Sequence, residues 1–158
     1  MRDKRFAAVH RGGTLTKDNH HKLIKWCRMC SEHVLSLIDK NIDERLIRAL
    51  NAAKEWEKDK AATGEAMKAS VGAHAAARES SNPISKAVAR SVGHAAATAH
   101  MADHSMGAAL YALKAVKIAG KSIEAERKWQ YKQLQKLPPE IAELVLTAMN
   151  MKEKGFKL

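Results

Sequence analysis

At 158 residues the chain is sized for a single domain, 1–158, and a domain near this length buries roughly 70% of its unfolded surface. Aromatics are only 4% of it, too few for nucleic-acid stacking platforms; no apolar run approaches the ~20 residues of a membrane span, and no apolar stretch backs the charged start as a secretory signal requires. The net charge of +11 gathers at the ends, with eight Lys/Arg against two Asp/Glu in residues 1–30, ten against five in 111–158 and ten of each between, a balance that favours acidic partners in an expected cytoplasmic setting.

No segment alternates in the strand manner, and helix punctuation recurs throughout. Residues 1–17 read as a basic, loosely ordered N-terminal segment, with Gly12-Gly13 as a loop. A first helix is predicted from Asn19 to Ile38, capped by Asp18 or Asn19. Its inner face is Leu23, Cys27, Cys30, Val34 and Leu37. A second runs from Ile42 to Lys60, with Asn41 and Glu44 at capping-box spacing and Leu46, Ala49, Leu50 and Ala53 inward. A third, capped by Thr63, runs from Gly64 to Ser80.

The fourth starts at Asn82-Pro83, where Pro suits the first helical position, and reaches Ala102. The fifth runs from Ser105 to Ala119 and stops at Gly120, with a break or kink expected around Asp103. The sixth is capped by Ser122 and ends before Pro138-Pro139. The seventh, Pro139 to Lys152, buries Ile141, Leu144, Val145 and Ala148. The predicted fold class is all-α: a compact bundle of about seven helices with an Ala/Gly/His-rich central helix pair.

A short internal repeat lies in the middle. Ser70-Val71-Gly72-Ala73-His74-Ala75-Ala76-Ala77 matches Ser91-Val92-Gly93-His94-Ala95-Ala96-Ala97 with one residue inserted. It reads as two similar helices packed together, with His74 and His94 facing each other. Gly72, Gly93 and Gly107 sit inside predicted helices. Each costs about 1 kcal/mol relative to Ala, so close helix–helix approach is expected to offset all three.

Several constellations have residue types that can carry chemistry. Cys27 and Cys30 form a C-x-x-C on the apolar face of a helix, where core packing is expected over redox or zinc chemistry. His100 and His104 are one helical turn apart and, with Asp103, make the candidate metal-ligand set. His94 and His100 point about 120° apart on one helix, so a single helix cannot bring all three histidines to one site. No G-x-S-x-G nucleophile elbow or phosphate-cradling G-x-x-x-x-G-K is present, and no catalytic residue is assigned. Trp129, flanked by Glu126, Arg127 and Lys128, is expected to fill the core.

The stretch Ser91 to Val116, S-V-G-H-A-A-A-T-A-H-M-A-D-H-S-M-G-A-A-L-Y-A-L-K-A-V, resembles the central motif of an all-helical family of bacterial immunity proteins from toxin–immunity systems. W-C-R-M-C-S-E-H-V-L at Trp26 to Leu35, A-A-K-E-W at Ala52 to Trp56, A-H-A-A-A-R at Ala73 to Arg78 and E-R-K-W-Q with a later L-P-P at Glu126 to Pro139 agree in order. The resemblance makes Gly93, His94, His100, Asp103, His104 and Trp129 family-motif positions. It implies a non-enzymatic protein that neutralises a cognate protein toxin by occlusion. Against a basic nuclease site, the acidic residues Asp39, Asp43, Glu44, Glu55 and Glu57 would have to face the partner. The alternatives are a transition-metal protein using His100, His104 and Asp103, or a basic nucleic-acid-binding accessory.

Overall fold

A computed structural model describes residues 3–158; Met1 and Arg2, the first two residues of the basic N-terminal segment, lie outside the described residues. Seven α-helices follow one another: α1 (Lys17–His33), α2 (Glu44–Glu57), α3 (Thr63–Glu79), α4 (Pro83–Ala97), α5 (His104–Ile118), α6 (Ile123–Leu134) and α7 (Pro139–Lys152). The only β pairing among the described residues is an isolated bridge between Ala8 and Leu15. No helix there is long and apolar enough to cross a membrane.

From Asp3 onward the N-terminal segment is folded onto the bundle. Two 3-10 turns and the bonds Val9 N–H to Leu15 O and Leu15 N–H to Ala7 O close it into a loop. The expectation of loose order overlooked two apolar anchors, Phe6 and Leu15, which are buried in the core. Their removal from water offsets the entropy of ordering a charged loop.

Helix ends differ from the sequence expectation for local reasons. Thr16 caps α1 by accepting from the Asn19 N–H, so the helix begins ahead of Asp18. It stops at His33, where Leu35–Leu37 tighten into a 3-10 turn. Asp43, not Asn41, caps α2 through the Arg45 N–H. Thr63 is the first residue of α3, not its cap. Its hydroxyl accepts from the Trp56 indole instead, at 3.0 Å. Asn82 and Ser122 cap α4 and α6 as their positions predict.

The fourth helix ends at Ala97, five residues before Ala102. The Thr98 hydroxyl bonds back to His94 O at 2.9 Å, a contact that bends and weakens a helix end. Residues 98–103 then turn, and Ala99 and Ala102 are buried there.

Two apolar clusters share α4 and α5 as a common wall. One gathers Leu23, Ile24, Trp26, Cys27 and Cys30 with Met106, Leu110, Leu113 and Leu134. The other gathers Leu46, Leu50, Val88, Val92, Ala112 and Val116. Three serine hydroxyls buried along the wall are paired, which offsets the cost of taking them out of water. Ser70 Oγ donates to Gly93 O at 2.8 Å and Ser91 Oγ donates to Ala108 O at 2.7 Å, with Ser31 Oγ 2.8 Å from Ser91 Oγ. These three hydroxyls tie α3 to α4, α1 to α4 and α4 to α5. The Gln130 amide donates to Ala109 O while the Trp26 indole donates to Gln130 O, both at 3.0 Å, joining α6 to α5 and α1.

The interior glycines separate into two kinds. A Cβ on Gly93 would lie 2.6 Å from His74 Nε2, and one on Gly107 would lie 2.8 Å from His94 Nδ1. Each glycine is the seat of an imidazole from the preceding helix. Gly72 is different: nothing approaches a Cβ there closer than 3.9 Å, from Arg45. Close approach therefore accounts for Gly93 and Gly107 but not for Gly72. Gly93→Leu is expected to destabilise by about 1–3 kcal/mol through overpacking. Gly72→Ala is expected to stabilise by up to about 1 kcal/mol through helix propensity. Urea unfolding of the two variants checks the opposite signs.

Candidate functional site

The repeat in α3 and α4 places His74 beside His94, and the turn at 98–103 folds the next two histidines back toward them. The rings run in sequence His74, His94, His104, His100, with centroids 5.1, 5.2 and 5.3 Å apart. His94 Nδ1 lies 3.2 Å from His104 Nδ1. A single helix could not achieve this; the break between α4 and α5 does. Tyr111 of α5 lies nearly parallel to His94 at 5.3 Å, and Phe156 meets Tyr111 edge-on at 4.8 Å.

His74 accepts at Nδ1 from Arg90 Nη1 at 2.8 Å, which places its own proton on Nε2 and keeps the ring neutral. Burial, then the nearby Arg90, hold the His74 pKa down to about 4. Burial, then His74 and His104, hold His94 down to about 3. His104 and Arg78 further lower His74, and Arg90 and Lys152 further lower His94.

The candidate metal set falls as follows. Asp103 stands at the N-cap position of α5, His104 is the first residue of that helix, and His100 lies in the preceding turn. The three are neighbours in the fold. Among the described residues no group of three or more His, Cys, Asp or Glu side chains has the arrangement of a metal site. His100 also lines a cleft of about 950 Å³ under the N-terminal loop, with Lys4, Arg11, Lys17, Trp56 and Asp59.

Cys27 and Cys30 are fully buried free thiols. Burial pushes Cys27 up to about 12 and Cys30 well above the ordinary thiol value. Reactive cysteines show the reverse shift. In the native protein both thiols are expected to resist a disulfide-exchange reagent at pH 8, and both react after denaturation in a simple thiol titration.

Trp129 is half-buried rather than fully interior, and Trp26 fills the core in its place. Trp129 stacks on His33 with ring centroids 3.6 Å apart, and His33 Nδ1 lies 2.6 Å from Glu126 Oε2. Much of the proposed acidic face is tied up. Asp43 pairs with Arg45, Glu44 with Arg48, and Glu57 with the buried Arg28. Arg90, just ahead of the Ser91–Val116 motif, and Tyr111, inside it, have no spacing that marks them as neighbours; only the fold brings them to the histidines.

The architecture defines an all-helical bundle whose central pair carries a glycine-seated histidine stack. The chain matches the family described as Imm-5 like putative immunity protein over residues 13–137, and it belongs to that family. That span takes in the Ser91–Val116 motif and nearly all of the flanking segments, Trp26 to Pro139, that carry the resemblance. No curated protein and no solved structure matches the chain.

The depressed histidines give a signed pH dependence. The unfolded chain binds protons at His74 and His94 below about pH 6.5, while the folded chain refuses them until about 4 and 3. Stability is therefore expected to be fully present above pH 6.5 and to fall as pH drops from 6.5 toward 3. Carboxylate titration adds to this loss, so His94→Gln is the control. Thermal melts from pH 7 to 3.5 should show a shallower decline for the variant than for the native chain.

Proposed function

We propose that the protein is a cytoplasmic immunity protein that binds a cognate bacterial toxin and neutralises it by occlusion, with no catalysis of its own. The family match carries this reading. The geometry is consistent with it. The histidines that stand out in the sequence are engaged in helix packing, and two of them are held neutral far below pH 7. Both thiols, Cys27 and Cys30, are buried.

Occlusion needs a preformed surface, because a rigid face loses little entropy on binding. The seven helices supply one. The test is genetic and then physical. Co-expression with the toxin gene adjacent to this one is expected to restore growth, and the purified pair is expected to co-elute as a complex. Unchanged killing, with no complex by size exclusion, would overturn the proposal.

A further inference from the structure

A second, smaller concavity lies between α4 and α5 on the outer side of the histidine stack. It encloses about 290 Å³ and is lined by Pro83, Lys86, Arg90, Tyr111, Lys114 and Ile118 among others. That volume lies just below the range of sites for whole small ligands; it suits one side chain. We propose that this groove is where the toxin docks, and that it receives a carboxylate side chain from an acidic segment of that partner. The inference rests on the immunity reading and adds the place and the chemistry of contact.

Charge complementarity carries the choice of occupant. Three cations line the groove and no carboxylate does. Elsewhere among the described residues Arg5, Arg28, Arg45, Arg48 and Arg127 each pair with Asp or Glu, whereas Arg90, like Arg11 and Arg78, has no carboxylate partner there. Arg90 spends one donor on His74. A guanidinium has five N–H donors in a fixed fork, so four remain on this groove-lining residue for an incoming anion. The larger cleft under the N-terminal loop is less suited, because its Asp59 already pairs with Lys17.

Arg90 is also held in place, which separates it from a solvated surface arginine. Its partner ring is seated on Gly93 and cannot swing away without leaving that seat. Tyr111 is fixed between His94 and Phe156, and Lys114 Nζ lies 6.0 Å from its ring centre. Arg and Tyr are the types enriched where interfaces concentrate their energy. The exposed side chain of Ile118, 41% accessible, and Pro83 give the rim an apolar component. A carboxylate entering here would meet a preorganised bidentate donor flanked by two ammonium groups.

The experiment uses the full chain. Lys86→Glu with Lys114→Glu reverses the groove's charge and leaves the Arg90–His74 bond intact; Arg90→Lys keeps the charge and removes the fork. Affinity for the adjacent gene's toxin is measured by calorimetry, with melts to verify folding. The proposal expects the double variant to lose at least about 30-fold, the scale of an interfacial charge pair broken on one side. Arg90→Lys should lose affinity as well. Binding by a folded double variant within about twofold of the native chain would overturn it.

If the native chain does not bind that toxin, the immunity reading fails by itself. The groove is then decided by an amide-resolved NMR titration with a blocked tetra-glutamate peptide, inorganic phosphate and a short DNA duplex. Peptide-induced shifts centred on residues 86–90 and 111–118 uphold the carboxylate site. Shifts that are absent or scattered overturn it, as does tighter groove binding by phosphate or DNA.

Discussion

The bundle depends on two imidazoles that occupy space a Cβ would need. His74 from α3 rests on Gly93 of α4, and His94 from α4 rests on Gly107 of α5. The same device is used twice, one helix further along each time. It fixes the spacing of three consecutive helices and their register along the axis. Any other residue at either glycine would push a ring aside, and that ring is part of a stack. Leucine-rich interfaces hold helices 8–10 Å apart; here small residues and rings set the separation. This is why an interior with so few aromatics still closes.

Close approach brings backbone carbonyls near neighbouring helices, and serine hydroxyls exploit it. Ser70 and Ser91 reach carbonyls of the adjacent helix, and Ser31 joins the second of these bonds from α1. A longer polar side chain would not fit at that spacing. Alanines fill the rest: Ala95, Ala96, Ala108, Ala109 and Ala112 are fully buried. Each contributes little alone, but together they remove a continuous seam from water. The seam then needs neutral rings, since a charged imidazole beside Arg90 and Arg78 would be repelled and poorly solvated.

Much of this was legible in the sequence. Seven apolar periods gave seven helices, and Asn82, Ser122 and Gly120 marked their ends. The repeat predicted that His74 and His94 face each other, and they do. What escaped the sequence was decided by competition or by distance. Thr63 has the composition of a cap, but its hydroxyl is taken by Trp56. Asp43 wins over Asn41 because its carboxylate serves both the Arg45 backbone and its guanidinium. Phe6 and Leu15 anchor a segment whose charge suggested loose order. His100 and His104 rejoin His94 only because the chain turns after Thr98, and periodicity cannot say which way a turn goes. The groove was invisible, since Arg90 and Tyr111 lie on different helices with no shared motif.

The electrostatics of the surface follow from the same packing. Folding uses most carboxylates of the second helix to neutralise arginines, so the acidic face suggested by composition carries little net field. The cations left over include Lys86, Arg90 and Lys114 on the outer side of α4 and α5, where His74 and His94 behind them stay neutral. An excess charge that is spread evenly is screened within about 8 Å in physiological salt and selects nothing. An excess held beside a fixed tyrosine, with its arginine oriented by a seated histidine, has direction as well as sign. The glycine seats thus do two things at once: they close the helix spine, and they aim Arg90, which has no carboxylate partner among the described residues.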